Sequence, residues 1–399
     1  MNYQRTNFIF INIGHFFAHF FLLIFATVAA LALSSDWGIS YAELIPYATP
    51  GFVAFGLGSY PAGWLADKWN RRGMMTIFFI GIGASSMAAS LVQTPLQMSL
   101  VLVAVGLFSA IYHPVGLAML VEGRAKTGMA LAINGVYGNL GVGGAALITG
   151  FLIDQAGWRQ AFLLPGILCV LTGIAYGIWV WRAGRRRAHD QASGGAVEQG
   201  ENVGRQMMVR IFGIIFFTAA LGGIIFQSTT FALPKIFAER LGDLADSATL
   251  VGSYAFVAFT VGAVAQIVVG SLVDRFSLRF IFATISCCQA LFFALMINST
   301  GLAALLVSFG FMLAVFGQIV VNDVLIGRVS RNEWRSRLYA MRYLLTLTVM
   351  ASALPLIGWI HASWGFSYLF TLLAACAGLI FLAIIMLPGI PQIIGNRAR

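Results

Sequence analysis

Charged side chains are scarce in this chain of 399 residues, where Asp, Glu, Lys and Arg together make up 10% of the sequence. A typical soluble domain carries about 25%. This scarcity excludes a water-soluble fold, and 59% of the residues are hydrophobic, with a mean hydropathy of +0.87. Apolar stretches of about 20 residues recur along the chain and predict membrane-spanning helices.

Cysteine is also rare, and its placement excludes two kinds of site. The cysteines all lie inside apolar runs, and none forms a Cys-x-x-Cys pair; they are Cys169, Cys287, Cys288 and Cys376. This pattern excludes a disulfide framework and a thiolate metal site. We therefore interpret the cysteines as packing residues.

Several enzyme motifs are missing from the sequence. It contains no Walker phosphate-binding loop, no nucleophile elbow and no His-Glu-x-x-His zinc motif. We predict that the chain is not an enzyme, needs no cofactor and does not drive transport with ATP. The net charge of +10 comes from Lys and Arg in short loops between apolar runs, so we interpret it as a topology signal and expect no nucleic-acid partner.

The apolar runs predict an all-α membrane protein with twelve transmembrane helices in two pseudo-symmetric six-helix bundles. The predicted spans are 8–33, 42–66, 73–92, 96–121, 128–153, 159–181, 210–236, 247–273, 279–298, 301–327, 337–361 and 366–388. A polar segment rich in Gly and Arg separates the sixth span from the seventh. We predict an N-terminal bundle over 1–181, a cytoplasmic linker over 182–209 and a C-terminal bundle over 210–399.

One loop sequence occurs twice, about half a chain length apart. Gly63–Arg72 (GWLADKWNRR) returns as Gly270–Arg279 (GSLVDRFSLR). A second matched pair, Gly157-Trp158 and Gly365-Phe366, precedes the last predicted span of each half. A repeat at half length in a membrane protein indicates two related halves that face each other across a central path.

The distribution of positive charge predicts the orientation. With the N-terminus in the cytoplasm, every Lys and Arg except Arg159, Lys235 and Arg240 falls on or near the cytoplasmic side. We therefore predict cytoplasmic N- and C-termini and, for the chain as a whole, a place in the bacterial inner membrane.

The duplicated loop Gly63-x-x-x-Asp67-Lys68-x-x-Arg71-Arg72 and the twelve-span plan resemble the major facilitator superfamily over almost the whole chain. Shorter segments, Tyr112-His113-Pro114 and Gly135-x-x-Gly138-Asn139-x-Gly141, together with His15, are similar to the fosmidomycin-resistance branch of drug exporters. The resemblance implies a secondary transporter that works by alternating access, with spans one, four, seven and ten lining its path. The branch implies export.

The duplicated loops also predict a cytoplasmic gate. A carboxylate at the end of a helix can pair with nearby basic side chains or with the N-terminus of a neighbouring helix, and Gly63 permits close helix packing. The resemblance implies that Asp67 faces Arg335 and Arg337 when the protein is open outward. The predicted gate residues are Gly63, Asp67, Lys68, Arg71, Arg72, Gly270, Asp274, Arg275 and Arg279. Alternatively, these residues only stop the helices and anchor them at the membrane surface.

Polar side chains inside the spans are functional candidates, because they are costly in a membrane. His15 and His19 share one face of span one, and His113 precedes Pro114, which should disturb span four. The predicted substrate and proton cavity consists of His15, His19, His113, Asn134, Tyr137, Gln227, Gln318, Asn322, Asp323 and Arg342. Alternatives are hydrogen bonds to backbone carbonyls, contacts between helices and, for Asp323, an ion pair with Arg328 or Arg342. No metal is assigned, although the three histidines leave a metal site as an option.

These residues predict a proton-coupled exporter of a small organic solute, because histidine and a desolvated carboxylate can both exchange protons near neutral pH. We expect that replacing His15, His19 or Asp323 abolishes proton-linked transport without preventing folding. The expected partners are the solute, protons and the lipid bilayer, and the expected state is a monomer. The alternatives are a uniporter, a metal-chelate carrier and a membrane partner protein that does not transport.

Overall fold

A computed structural model describes residues 3–122, 128–184, 205–273, 275–329 and 332–387 of the protein. Within these ranges the regular structure is entirely helical, which confirms the all-α prediction. Ten helical segments there are long and apolar enough to cross a membrane, and one of them, Leu344–Ile385, covers most of two predicted spans. The protein is therefore an integral membrane protein.

The helices of the first half follow the predicted spans, with extra short turns between the first two. A π-helical stretch, Ala29–Leu33, continues α1, and a 3-10 turn, Ile45–Ala48, leads into α4. The helices are α1 (Tyr3–Val28), α2 (Ser34–Trp37), α3 (Tyr41–Leu44), α4 (Thr49–Lys68), α5 (Arg71–Ala89), α6 (Pro95–Ser109), α7 (Tyr112–Val121), α8 (Gly128–Ala156) and α9 (Trp158–Gly184).

The second half begins with α10, which starts at Arg205, five residues before the end of the predicted linker. Helix α9 continues to Gly184 and α10 begins at Arg205, so both ends of the predicted linker 182–209 are helical; residues 185–204 lie outside the described ranges. The helices are α10 (Arg205–Phe231), α11 (Leu233–Arg240), α12 (Ala248–Val273), α13 (Leu278–Met296), α14 (Gly301–Val329) and α15 (Asn332–Ile385).

The fourth predicted span is interrupted, as Pro114 predicts. Helix α6 ends at Ser109 and α7 begins at Tyr112, with Ala110 and Ile111 between them. Proline has no N–H to donate four residues back, and its ring collides with the carbonyl at that position, which here belongs to Ala110. The interruption places His113 in the first turn of α7.

Matching positions of the two halves carry matching local structure. Gly157 has φ of 83° at the junction of α8 and α9, and Gly365 has φ of 74° inside α15, where it separates the two spans that this helix covers. Only glycine adopts this left-handed conformation without strain. In the duplicated loops, Asn70 Oδ1 accepts from the Arg72 N–H and Ser277 Oγ accepts from the Phe280 N–H, so each copy caps the helix that follows it.

The chain divides into two compact units by its internal contacts. One unit comprises Met1–Ala196, Gln227–Thr260 and Met350–Ser363, and its main helix pairs are α1 with α8, α5 with α9 and α4 with α6. The other comprises Val197–Phe226, Val261–Val349 and Trp364–Arg399, where α13 packs on α14. The first unit thus contains the predicted N-terminal bundle and segments of the second half. The bundle boundaries drawn from the sequence stay a prediction.

Candidate functional site

Three imidazoles meet inside the first unit. His15 and His19 project from one face of α1, and His113 reaches them from the first turn of α7. The Nε2 atoms of His15 and His19 are 3.2 Å apart, and one ring nitrogen of each histidine lies within 4.8 Å of the others. We call these three residues the histidine cluster. In the described part of the chain, no Asp, Glu or Cys joins it.

A backbone carbonyl fixes the orientation of His15. Its Nδ1 lies 2.7 Å from the carbonyl oxygen of Asn134 on α8. Because a carbonyl oxygen can only accept a hydrogen bond, Nδ1 carries the proton and the neutral ring presents the lone pair of Nε2 toward His19. The ring also stacks on Tyr112, with the two ring centres 4.9 Å apart and the planes inclined by 16°.

A buried polar network lies behind the histidine cluster. The Asn134 side-chain amide donates to Asn12 Oδ1 at 3.0 Å and to Tyr112 Oη at 2.8 Å, and Tyr112 Oη donates to the Ile11 carbonyl at 3.0 Å. Asn12 and Tyr112 are missing from the cavity predicted from the sequence. Asn12 could have been found, because positions 12, 15 and 19 fall on one helical face.

Gly138 on α8 makes room for the His15 ring. A side chain at this position would place its Cβ 2.6 Å from His15 Cε1 and 2.7 Å from Nε2, distances that no real contact allows. Gly138 belongs to the glycine-rich run of span five. The close approach of the His15 ring explains why this position of the run is glycine.

Two other residues of the predicted cavity fall elsewhere in the first unit. Tyr137 is exposed on α8 and does not belong to the histidine cluster. Gln227 near the end of α10 is buried, and its side-chain nitrogen has no hydrogen-bond partner among the described residues.

The second unit holds the remaining cavity residues along α14 and α15. Arg342 is buried, with 9% of its side chain exposed, and its guanidinium donates to Asp323 Oδ1, whose side chain is 42% exposed. This is one of the two pairings that the sequence left open for Asp323. A positive and a negative side chain thus meet inside predicted spans.

Buried amides accompany this ion pair on α14. Gln289 on α13 donates to Gln318 Oε1 at 2.8 Å, and Gln318 and Asn322 lie one helical turn apart. Gln318 Nε2, Gln289 Oε1 and Asn322 Oδ1 are buried without a hydrogen-bond partner in the described chain. Buried polar atoms are normally paired, so these three unpaired atoms mark a polar place inside the second unit.

The predicted gate residues lie at helix ends, and most of them are exposed. Asp67 Oδ1 accepts from Arg71 Nη2 at 2.8 Å within its own loop, and a Cβ on Gly63 would lie 3.1 Å from Pro114, so that α4 approaches α7 closely there. In the first loop, Lys68 is exposed and Arg72 is half-buried. In the second loop, Arg275 is exposed, Gly270 has open space around it and Arg279 donates to the Ile385 carbonyl. Asp274 and the side chains of Arg335 and Arg337 lie outside the described residues.

A charged cluster in the first unit was not predicted from the sequence. Glu239 on α11 pairs with Lys235 at 3.3 Å and with His361 on α15 at 2.9 Å, and the His361 ring meets Tyr41 edge-on. We call these four residues the Glu239 cluster. Burial acts to raise the pKa of Glu239, but the hydrogen bond and charge of His361 and the charge of Lys235 outweigh it and lower that pKa below its ordinary value.

A second acidic residue of the first unit, Asp154, caps the N-terminus of α12. Asp154 at the end of α8 accepts from the backbone N–H groups of Ala248 and Thr249, at 3.2 and 2.7 Å, and from the Thr249 hydroxyl. A carboxylate at a helix N-terminus is favoured by the helix dipole. Three second-half helices, α11, α12 and α15, therefore contact first-half residues within this unit.

Comparison with known proteins gives matches of two kinds. The 4-hydroxybenzoate transporter PcaK of Pseudomonas putida is 25% identical over 158 residues, 39% of this chain and 35% of that protein. The gallate transporter of Pseudomonas putida is 26% identical over 141 residues, 35% of this chain and 31% of that protein. The matches thus span about a third of the length of these relatives. The crystal structure of a D-xylose–proton symporter matches with a TM-score of 0.71 at 13% identity, over 96% of this chain and 97% of that one.

The helices, the repeat and the structural match define a transporter-type membrane fold of two related halves. A family model described as Major Facilitator Superfamily matches residues 11–322. The chain therefore belongs to the major facilitator superfamily. This confirms the family and the fold predicted from the duplicated loop.

Proposed function

We propose that the protein is a secondary transporter that moves a small organic solute by alternating access and is coupled to protons through Asp323. The observation that carries the proposal is the pair of Asp323 with Arg342 inside the predicted spans. An ionisable pair in a membrane is costly and is retained where it serves transport. Asp323 is the partner with the greater exposure, so water can deliver a proton to it.

The unpartnered amides beside this pair supply a solute site. Gln318 Nε2 is a donor and Asn322 Oδ1 an acceptor, both buried and unpaired in the described chain. A solute with hydroxyl or carboxyl groups can satisfy both atoms. The two curated relatives are named for 4-hydroxybenzoate and gallate, which carry such groups, and we take these compounds as the first solutes to test.

Competition for one carboxylate couples the two movements. A solute that donates a hydrogen bond to Asp323 needs the ionised carboxylate, whereas a proton neutralises it and weakens that bond. Arg342 supplies the opposite charge that the carboxylate requires once its proton has left. A proton that enters from an acidic exterior then releases the solute to the outside. The solute is thereby exported across the bacterial inner membrane, in the direction that the resemblance implies.

The test uses the purified full chain in liposomes loaded with labelled 4-hydroxybenzoate or gallate. We expect efflux to accelerate when the exterior is acidified, and Asp323→Asn to remove that acceleration. Solute–solute exchange should continue at a lower affinity, because the Asn amide oxygen still accepts a hydrogen bond but carries no charge. The matched control is Asp243→Asn, since Asp243 is exposed in a short turn and should change nothing.

Three outcomes would contradict the proposal. Flux that ignores the pH gradient in the unaltered protein indicates a uniporter. Uptake accelerated by external acid indicates proton cotransport and reverses the direction. An absence of flux for any solute in a broad screen of organic acids, drugs and metal chelates indicates a partner protein without transport.

A further inference from the structure

The coupling proposed above is assigned to Asp323, and the proton role that the sequence predicts for His15 and His19 stays a prediction. The geometry of the histidine cluster suits another ligand. We propose that His15, His19 and His113 form a binding site for one divalent transition-metal ion of the zinc, cobalt or nickel class. The ion would be held by three imidazole nitrogens and keep one open position.

The spacing of the nitrogens supports this inference. Two imidazole nitrogens bound to one tetrahedral zinc ion at 2.0–2.1 Å are about 3.3 Å apart. The Nε2 atoms of His15 and His19 are 3.2 Å apart, which is already this separation. The third nitrogen lies within 4.8 Å of both, so a shift of about 1.5 Å in the His113 side chain completes the set.

The environment of His15 is that of a metal ligand. Metal-bound histidines almost always donate their other ring nitrogen to a carbonyl or carboxylate, which fixes the tautomer and the direction of the lone pair. The Nδ1 of His15 does so to the Asn134 carbonyl at 2.7 Å. Its Nε2 lone pair therefore points into the cluster, and ring stacking on Tyr112 and the close approach of Gly138 hold the ring in place.

The chemistry of the donor set selects the ion. Neutral imidazoles suit zinc, copper, nickel and cobalt, whereas magnesium and calcium prefer oxygen ligands. No carboxylate or thiolate of the described chain joins the cluster, so the two positive charges of the ion stay uncompensated by protein ligands. The open position therefore favours water or an anionic oxygen, as in catalytic three-histidine zinc sites.

The experiment is a metal titration of the purified full chain carrying an affinity tag without histidine. Isothermal titration with Zn²⁺ should give one ion per chain, and Co²⁺ should produce the visible absorption of a four-coordinate site. His15→Ala, His19→Ala and His113→Ala should each weaken Zn²⁺ binding by more than the about 10- to 100-fold typical for loss of an outer partner. Gly138→Ala, which displaces the His15 ring, should weaken binding by about 10- to 100-fold.

Two controls keep the result interpretable. His361→Ala removes a histidine of the Glu239 cluster and should bind Zn²⁺ as the unaltered protein does. Asp323→Asn should lose proton-coupled transport and still bind Zn²⁺, so that failure of the metal site and failure of the proposed function are separate results.

One further variant covers the case in which an alanine variant does not fold. His19→Cys should add a thiolate-to-cobalt charge-transfer band to the Co²⁺ spectrum, provided that the metal lies in the cluster. Binding that is unchanged in all three alanine variants, a stoichiometry other than one ion, or a Co²⁺ spectrum without the thiolate band in a folded His19→Cys protein would each overturn the proposal.

Discussion

At the scale of single residues, Asn134 makes hydrogen bonds to three residues around the histidine cluster. Its carbonyl orients His15, and its amide donates to both Asn12 and Tyr112. All three of these side chains are buried. Such a network rigidifies a core when it is satisfied and destabilises it when one member is lost. The geometry of the histidine cluster therefore depends on a neutral amide, not on a charge.

We predict that Asn134→Ala destabilises the protein by about 1–3 kcal/mol, because it leaves buried polar atoms of Asn12 and Tyr112 without their donor. Thermal unfolding in detergent measures the effect as a lower midpoint. Asn298→Ala serves as control, since Asn298 is exposed in the turn after α13. Equal midpoints for the two variants would show that the network adds little.

At the scale of elements, the two halves of the sequence repeat share the positions that begin and end their helices. Gly157 and Gly365 both take positive φ, and Asn70 and Ser277 both cap the following helix. These positions correspond in the two halves of the sequence. The duplication therefore preserves helix boundaries, which backbone geometry dictates, whereas His15 and Asp323 have no counterpart in the other half.

We predict that Gly365→Ala costs about 1–3 kcal/mol, because the backbone of Gly365, with φ of 74° and ψ of −176°, lies in a region that essentially only glycine occupies. Gly378→Ala, in the same helix α15 with open space at its Cβ position, should be neutral or slightly stabilising. Thermal unfolding of the two variants tests the difference. A Gly365→Ala protein as stable as Gly378→Ala would contradict the need for glycine at the break.

The Glu239 cluster joins α11 to α15 and predicts a pH dependence. The lowered pKa of Glu239 means that the folded protein favours the ionised carboxylate. Its contribution is complete above the ordinary glutamate pKa of about 4.3 and is lost as the pH falls through the lowered value. Because the Glu239 side chain is 38% exposed, the contribution is at most about 1 kcal/mol.

Glu239→Gln should therefore lower the unfolding midpoint slightly at neutral pH and reduce its fall upon acidification below about pH 5. The groups that face Glu239 are Lys235, Arg240, His361 and the ring of Tyr41, and they stay in place in the variant. Asp243→Asn is the matched control for loss of an exposed carboxylate. Parallel pH profiles for Glu239→Gln and the unaltered protein would contradict the assignment.

At the scale of the whole molecule, the sequence predicts the fold far better than the site. Apolar length and the duplicated loop are enough for the helices and the family, and Pro114 and Gly365 mark two breaks correctly. Contacts such as Asn12 with Asn134 or Glu239 with His361 join residues far apart in the chain, and helical periodicity on one segment carries no information about them. Helices α9 and α10 extend into both ends of the predicted linker, because arginine and methionine are good helix formers whatever their polarity.

The orientation in the membrane is the remaining property of the whole chain that charge alone predicts. Asn70 lies in the loop between α4 and α5, which carries the basic residues of the duplicated motif, and Asn298 lies in the turn before α14, away from any Lys or Arg. In a protein whose four cysteines are replaced by alanine, an impermeant maleimide should label Asn298→Cys in intact cells and Asn70→Cys only after permeabilisation. The opposite pattern would reverse the membrane orientation and, with it, the side from which Asp323 receives its proton during export.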